Sequence, residues 1–219
     1  MLRLSTTFGA VALATALIST SALAEEGSFR TKQAGQFNVR ARVLTAIPYD
    51  KQTIKNAAGA DTGLRATVTA DVEPELDLSY FFTDNIALEL IAGWTRHAVK
   101  ANPGAIDAGT VRLLPPTLTA QYHFFTKERI SPYIGAGWNY TFIFDERGGA
   151  TNQNKFSNAT GPALQAGVDI AITGGLSLNL DVKKIWWVSG SDFTLNNGAL
   201  KGKADLDPLL VGIGVGYRF

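Results

Sequence analysis

The sequence contains no cysteine among its 219 residues. This absence excludes disulfide-stabilised scaffolds, cysteine-based zinc sites and thiol catalysis. Its 20 lysines and arginines nearly balance 19 acidic residues, so the chain lacks the strong basic field that is typical of nucleic-acid-binding proteins. After residue 24, no apolar stretch reaches the roughly 18 residues of a membrane helix. We therefore expect neither a nucleic-acid partner nor a helical membrane protein.

The composition instead favours an all-β chain. Charged residues make up only 18% of the sequence, aromatic residues make up 10%, and there are 22 glycines. Many glycines and aromatics with modest hydrophobicity are typical of a β-barrel that faces lipid on its outside and water on its inside.

The first 24 residues have the layout of a secretory signal. Arg3 is their only charged residue, an apolar run extends from Phe8 to about Ile18, and small residues end the segment at Ala24. A basic start, a short apolar run and a small-x-small cleavage site are typical of exported proteins. An N-terminal anchor helix is the alternative, although the run is short for a membrane span. We predict a signal peptide over 1–24 and a periplasmic N-terminal segment over 25–36.

From residue 37 onward, eight segments alternate apolar with polar or small residues. In the last of them, Val211, Ile213 and Val215 alternate with Gly212 and Gly214. A two-residue period predicts strands with one apolar face. The segments cover 37–43, 72–80, 86–94, 114–124, 134–142, 164–170, 176–182 and 209–219.

The links between these segments alternate in length. Short links occur at 83–85, around 126–129 and at 173–175, whereas the other links cover roughly 45–63, 97–110, 145–159 and 189–207. Short periplasmic turns and long extracellular loops are the pattern of an outer-membrane barrel. The segments therefore predict an eight-stranded antiparallel transmembrane β-barrel over 37–219, in the outer membrane of a bacterium and in contact with its lipid.

One face of every segment is almost purely apolar, with aromatics such as Trp94 and Trp138 near the strand ends. This distribution resembles the aromatic girdles of outer-membrane barrels, whereas the other face mixes charges with glycine and suits a lumen. The last alternating residue is Phe219. A terminal aromatic of this kind resembles the signal of outer-membrane assembly machinery, and we expect that machinery to be a partner through Phe219.

Several segments resemble the OmpW family of small outer-membrane proteins. They are TDNIALEL at 83–90, LPPTLTAQY at 114–122, PYIGAGWNYT at 132–141, LDP at 206–208 and GYRF at 216–219. The double-proline segment is the most specific of them. The resemblance implies an eight-stranded barrel with a partly apolar lumen, and it implies passage of small hydrophobic molecules across the outer membrane.

The inward faces of the predicted strands place charges of both signs in a narrow lumen. An eight-stranded barrel is about wide enough for its own side chains, and a buried charge needs a partner. We expect Arg40 and Arg42 to meet acids of the next strand, and Lys183 to meet Asp169. The predicted lumen ion pairs involve Arg40, Arg42, Glu73, Glu75, Asp77, Asp169 and Lys183. They either fill the lumen or line a charged permeation path.

Some inward positions are apolar, which is less expected in a wet lumen. The predicted apolar path consists of Phe81, Ile91, Ile185 and Trp187. These residues either line a hydrophobic path or form a dewetted constriction, or they simply pack a plugged interior.

Pro115 and Pro116 lie inside the fourth strand, where they remove ladder donors and predict a bulge or a local break. Such a break in the wall could be a side exit toward lipid.

Enzymatic chemistry is not expected. There are only two histidines, His97 and His123, and no Ser-His-Asp arrangement can be placed around His97. The acidic ladder from Asp71 to Asp77 suggests calcium, but the same spacing is expected of an inward strand face opposite arginines. We expect no catalytic residue, cofactor or metal.

The predicted function is a channel for a small hydrophobic solute. The alternative is a non-transporting structural or partner-binding barrel, such as an adhesin or phage receptor.

Overall fold

The computed structural model describes residues 28–47, 53–68, 72–102, 106–147, 155–190, 192–195, 198–203 and 207–219. The predicted signal peptide and Asp71 lie outside these ranges. Among the described residues, no helix has both the length and the apolarity to cross a membrane. The strands are, in chain order, β1 (Phe37–Ile47), β2 (Thr53–Asn56), β3 (Asp61–Val68), β4 (Val72–Phe81), β5 (Ile86–Gly93), β6 (Thr95–Asn102), β7 (Ile106–Leu114), β8 (Thr117–His123), β9 (Ile130–Arg147), β10 (Lys155–Phe156), β11 (Ala159–Thr173), β12 (Leu176–Ile185), β13 (Ser189–Gly190), β14 (Asp192–Leu195), β15 (Leu200–Lys203) and β16 (Leu209–Arg218).

Eight of these strands close into an antiparallel barrel. Around the wall the order is β4-β5-β8-β9-β11-β12-β16-β1, and β1 pairs with both β16 and β4, which closes the ring. These are the eight strands that the alternation predicts, so the predicted barrel is confirmed. The short turns share one end of the barrel, the turn end, and the long links share the other, the loop end.

Side chains alternate between two environments along each barrel strand, as the pleat requires. In β1, Asn38 and Arg40 are fully buried, whereas Phe37 and Val43 are exposed. The same holds around the wall, and Trp94 on the outside is 70% exposed. Polar groups inside and apolar groups outside are the reverse of a soluble β protein and match a wall that faces lipid.

Eight further strands lie in the long links, which the sequence predicts as loops, and in the residues that border those links. Seven of them form a second sheet in the order β10-β14-β15-β2-β3-β6-β7, which continues onto the loop-end half of β9. Its side chains enclose a loop-end apolar core made of Ile54, Leu113, Phe193 and Leu195, with Leu64, Ile143, Phe156 and Leu200 against it. The barrel wall is thus extended well beyond the predicted strand ends, over an apolar interior.

The wall between β7 and β8 is interrupted at Pro115 and Pro116 without a change of register. Against β9, Leu114 pairs with Phe142 and Thr117 pairs with Asn139, so three steps on one strand match three on the other. Because the count is equal, there is no β-bulge at this position. Of the two outcomes that the sequence predicts here, the structure has the local break, since proline has no amide hydrogen to donate.

Residues 28–36, the N-terminal segment, cross the turn end of the barrel. Phe29 forms a parallel bridge with Gly174, whose φ of +51° suits the tight turn that it occupies. The Lys32 amide donates to the Thr126 carbonyl at 3.1 Å. The Ala34 amide donates to Asp84 Oδ1 at 3.0 Å, so the segment contacts all three turns and brings Lys32 to the mouth of the lumen.

Candidate functional site in the barrel lumen

A network of ionisable side chains fills the turn-end half of the lumen. We call it the charged belt; its members are Arg40, Arg42, Glu75, Asp77, Glu89, Asp169, Asp181 and Lys183, each no more than 8% exposed. All of them occupy inward positions of the two-residue alternation. Buried charges of this density are stable only when each has a counterion or a hydrogen-bond partner.

Arg42 is the centre of the loop-end side of the belt. Its Nη2 lies 2.6 Å from Asp77, its Nε lies 2.9 Å from Glu75, and its Nη1 lies 3.2 Å from Asp181. The acids come from β4 and β12, whereas Arg42 is on β1. One guanidinium therefore joins strands from different sides of the lumen, as its five fixed donors allow.

Arg40 is the next inward residue of β1 toward the turn end, and it too contacts several acids. It makes a two-point contact with Asp169, through Nε at 3.2 Å and Nη2 at 2.9 Å. Its Nη1 donates to Glu89 and, at 2.9 Å, to Ser79. The second arginine thus links β1 to β11 and to β5 across the lumen.

One expected pair is wrong. Lys183 contacts Glu75 at 3.4 Å, not Asp169, whose partners are Arg40 and Lys32. Asp169 pairs in register with Asn179, four residues before Lys183 on β12. Four residues of strand separate the two by about 13 Å, so sharing a pair of adjacent strands does not bring their charges together.

The expectation for the arginines holds for one of them. Arg42 meets Glu75 and Asp77 of the adjacent strand, whereas the ion pairs of Arg40 are with Glu89 and Asp169. Glu73 is buried on β4 beyond Glu75, on the loop-end side. The long arginine side chains reach across the lumen, so their partners are not limited to neighbouring strands.

The four apolar inward residues are all buried but do not form one surface. Ile185 and Trp187 belong to an inner apolar patch with Ala159, Ala163 and Leu210, on the loop-end side of Lys183. Ile91 lies on β5, opposite β12 in the strand order, and pairs in register with Asp77 and Thr117. Phe81 lies at the turn end, with its ring 5.0 Å from that of His123.

Asn139 connects the inner apolar patch to the interrupted wall. Its Oδ1 accepts a hydrogen bond from Trp187 Nε1 at 3.3 Å, and its Nδ2 lies 3.3 Å from the carbonyls of both Pro115 and Pro116. The same Nδ2 donates to Thr117 Oγ1 at 2.9 Å. A side chain of the lumen thus satisfies the backbone at the break, immediately beside the indole of Trp187.

The inward glycines do not create a cavity where the wall is tightest. A Cβ on Gly137 would lie 2.0 Å from the Leu118 carbonyl, and a Cβ on Gly214 would lie 2.1 Å from the Ala41 carbonyl. A Cβ on Gly167 would lie 2.4 Å from the ring of Tyr133, which occupies that space. These glycines allow neighbouring strands and one large ring to approach closely.

Lys32 is a lumen residue that the sequence does not predict. Its Nζ lies 2.9 Å from Asp169, 2.8 Å from Ser131 and 2.6 Å from His123 Nδ1. Burial lowers its pKa to about 8, against the opposing effect of Asp169. It belongs to no alternating segment, so no periodicity could have assigned it to the lumen.

Within the described ranges, no group of three or more histidine and carboxylate side chains is arranged to hold a metal ion. His123 contacts Lys32, Gln121 and the rings of Phe81 and Tyr133. The side chain of His97 is not among those that the structure describes.

Comparison with known proteins shows the family. The OmpW family model matches residues 33–219. The uncharacterized outer-membrane protein y4mB of Sinorhizobium fredii is 40% identical over 190 residues, which is 84% of this chain and 80% of that protein. The dibenzothiophene metabolism operon protein PahQ of Pseudomonas aeruginosa is 33% identical over 146 residues, which is 65% of this chain and 69% of that protein.

A solved structure agrees with the fold. The outer membrane protein OprG of Pseudomonas aeruginosa superposes with a TM-score of 0.78 at 28% identity, covering 88% of this chain and 99% of that one. The barrel therefore lies in the bacterial outer membrane, with the turn end facing the periplasm and the loop end facing the exterior.

Proposed function

We propose that this chain, which belongs to the OmpW family, is a channel that takes small hydrophobic molecules from the exterior into the outer membrane. The observation that supports this most is the division of the lumen. Its periplasmic half is occupied by the charged belt, whereas its outer half contains the inner apolar patch, below an apolar core built by the loops. A lumen of this kind favours apolar solutes over ions. The charged belt then opposes the passage of an apolar solute straight through the barrel to the periplasm.

The side exit is proposed at Pro115 and Pro116. Two consecutive prolines remove two ladder donors, so fewer backbone hydrogen bonds hold this part of the wall together. Asn139 places the break beside Trp187. A solute resting on the inner apolar patch would then reach lipid by displacing side-chain hydrogen bonds of Asn139, without crossing the charged belt. The name of PahQ associates that relative with dibenzothiophene, an apolar aromatic compound, which is consistent with the proposed solute class.

Uptake of an apolar compound such as dibenzothiophene into proteoliposomes tests the proposal. We expect faster uptake with the protein than with empty vesicles, and no comparable increase for a small ion. The competing function is a structural or partner-binding barrel, such as an adhesin or phage receptor. Uptake equal to that of empty vesicles, with a correctly folded barrel, would favour that competing function. In either case the chain is proposed to be non-enzymatic, and recognition of Phe219 by assembly machinery stays a prediction.

A disulfide lock tests the side exit separately, because the chain has no cysteine of its own. Leu114 pairs in register with Phe142 directly beside the prolines, so Leu114→Cys with Phe142→Cys would place two thiols on facing outward positions and leave both prolines intact. The matched control is Leu118→Cys with Trp138→Cys, the next outward pair along the uninterrupted ladder. We expect oxidation to slow uptake only in the first pair, and reduction to restore it. Equal uptake in the oxidised and reduced states of that pair would exclude an exit at the prolines.

A further inference from the structure

A chain of hydrogen bonds at the periplasmic end determines which nitrogen of His123 bears a proton. Gln165 Nε2 donates to Glu89 at 2.9 Å and to Asp181 at 2.8 Å, and carboxylates only accept. The Gln165 Oε1 therefore accepts from Gln121 Nε2 at 3.0 Å, which leaves the Gln121 Oε1 to face His123 Nε2 at 3.0 Å. His123 must donate from Nε2, so its Nδ1 holds a lone pair.

That lone pair faces Lys32. The ammonium of Lys32 lies 2.6 Å from His123 Nδ1, and its other contacts are Ser131 and Asp169. Ser131 uses its own hydroxyl hydrogen for the Phe124 carbonyl, so it can accept from Lys32. The three donors of the ammonium thus have three acceptors, and one of the three is a neutral imidazole.

We propose that protonation of His123 releases the N-terminal segment from the periplasmic mouth of the barrel. A proton on Nδ1 would replace the acceptor of Lys32 with a second donor and would place two cations 2.6 Å apart. The segment is the element that can move, because the strand bearing His123 is fixed on both sides by neighbouring barrel strands. Its remaining ties at this end include the bridge of Phe29 to Gly174 and a reciprocal pair of side-chain to carbonyl bonds between Arg30 and Arg218.

The surrounding charges do not supply a spare counterion. Asp169 lies 3.9 Å from His123 Nδ1, but it already contacts both Arg40 and Lys32. The other groups that face His123 are cationic, uncharged or aromatic: Arg40 from β1, Phe81 from β4, Gln121 from β8, Tyr133 from β9 and Arg218 from β16. One more positive charge at this point is therefore repelled more than it is stabilised, and departure of Lys32 removes the repulsion.

Burial in the mouth also disfavours the charged form of Lys32, whose pKa is lowered to about 8. Its ammonium is therefore held in place by specific partners and not by solvent. His123 is the group at this point that gains a positive charge in acid, so acid is the condition that would exchange the cation of Lys32 for that of His123. Release would expose Asp169 and Arg40 to the periplasm.

Spin labelling of a single cysteine tests this proposal in the full barrel. Ser28→Cys places a label on the exposed start of the segment, in a chain without other thiols. The line shape is recorded from about pH 8 to about pH 4, with circular dichroism to show that the strands stay folded. We expect an immobilised label at the upper limit and a mobile label in acid. A label that remains immobilised throughout would overturn the proposal.

Two substitutions identify the trigger. His123→Asn offers an amide oxygen to Lys32 but cannot titrate, so the label should stay immobilised in acid. His97→Asn is the matched control and should release the segment as the parent chain does. Release in His123→Asn at the same pH would assign the effect to a carboxylate such as Asp169 and reject the histidine. If His123→Asn does not fold, Lys32→Gln decides, because an uncharged partner removes the conflict; an unchanged acid transition in that variant would also reject the proposal.

Discussion

The Nη2 atom of Arg42 lies 2.6 Å from the carboxylate of Asp77, and neither side chain is accessible to solvent. The pair links the first two strands of the barrel at the height where Glu75, Glu89 and Asp181 also approach the same guanidinium. Removing one partner of a buried ion pair leaves the other charge uncompensated in a medium of low polarity. The charged belt is therefore a set of mutually dependent groups, and its members should be sensitive to substitution.

Arg42→Met should destabilise the folded barrel by about 3–5 kcal/mol, because it leaves several buried carboxylates without their shared cation. The measurement is urea-induced unfolding in lipid vesicles, with the free energy taken from linear extrapolation. Arg65→Met is the matched control, since the Arg65–Asp61 pair has side chains 48% and 50% exposed. An exposed pair contributes about 0–1 kcal/mol. Equal losses in the two variants would contradict a stabilising belt.

Gly214→Ala and Gly212→Ala should have opposite outcomes although they lie two residues apart on the inward face of β16. A methyl group at 214 would meet the Ala41 carbonyl at 2.1 Å, whereas a methyl group at 212 would meet Leu44 Cβ at 3.5 Å. The first requires the β1 and β16 strands to separate, and the second is an ordinary contact. We expect poor refolding into vesicles for Gly214→Ala and near-normal refolding for Gly212→Ala. Normal refolding of both would show that the strands separate easily.

Leu88→Arg and Ala166→Arg should each cost about 2–4 kcal/mol, because they place a charge on the lipid side of the wall at mid-membrane. Both positions are on the exposed face of their strands. Leu88→Met keeps the size and polarity of the site and serves as the control. Urea titration in vesicles gives the difference directly. A cost below that of Leu88→Met would mean that this face does not contact the hydrocarbon region.

Ile91→Asp should slow uptake of an apolar solute more than Arg40→Gln does. The new carboxylate would lie beside Asp77, its register partner, and would add an uncompensated charge to the lumen. Arg40→Gln removes the partner of Glu89 and Asp169 and should lower stability instead. Proteoliposome uptake is compared for folded protein in both cases. Normal uptake with Ile91→Asp and abolished uptake with folded Arg40→Gln would replace the hydrophobic path with a charged one.

Much of this architecture is determined by the local sequence. A strand shows its two faces by a two-residue period, so the positions of Arg40, Arg42, Asp77 and Asp169 inside the barrel follow from the alternation alone. The number of barrel strands and the ends at which the turns lie follow from the same pattern and from the link lengths. The place where Pro115 and Pro116 interrupt the wall also follows from the sequence, because proline cannot donate to a ladder whatever surrounds it.

The tertiary structure decided which of these groups meet. Lys183 contacts Glu75 and not Asp169, because partners inside a closed barrel depend on strand register and on the reach of side chains across the lumen. The short strands within the long links, such as β2 and β14, and the entry of Lys32 into the mouth have no periodic signal long enough to predict them. A pattern of period two records which side of one strand a residue occupies; contacts across the lumen depend on how eight strands are staggered against one another, which is a property of the whole barrel.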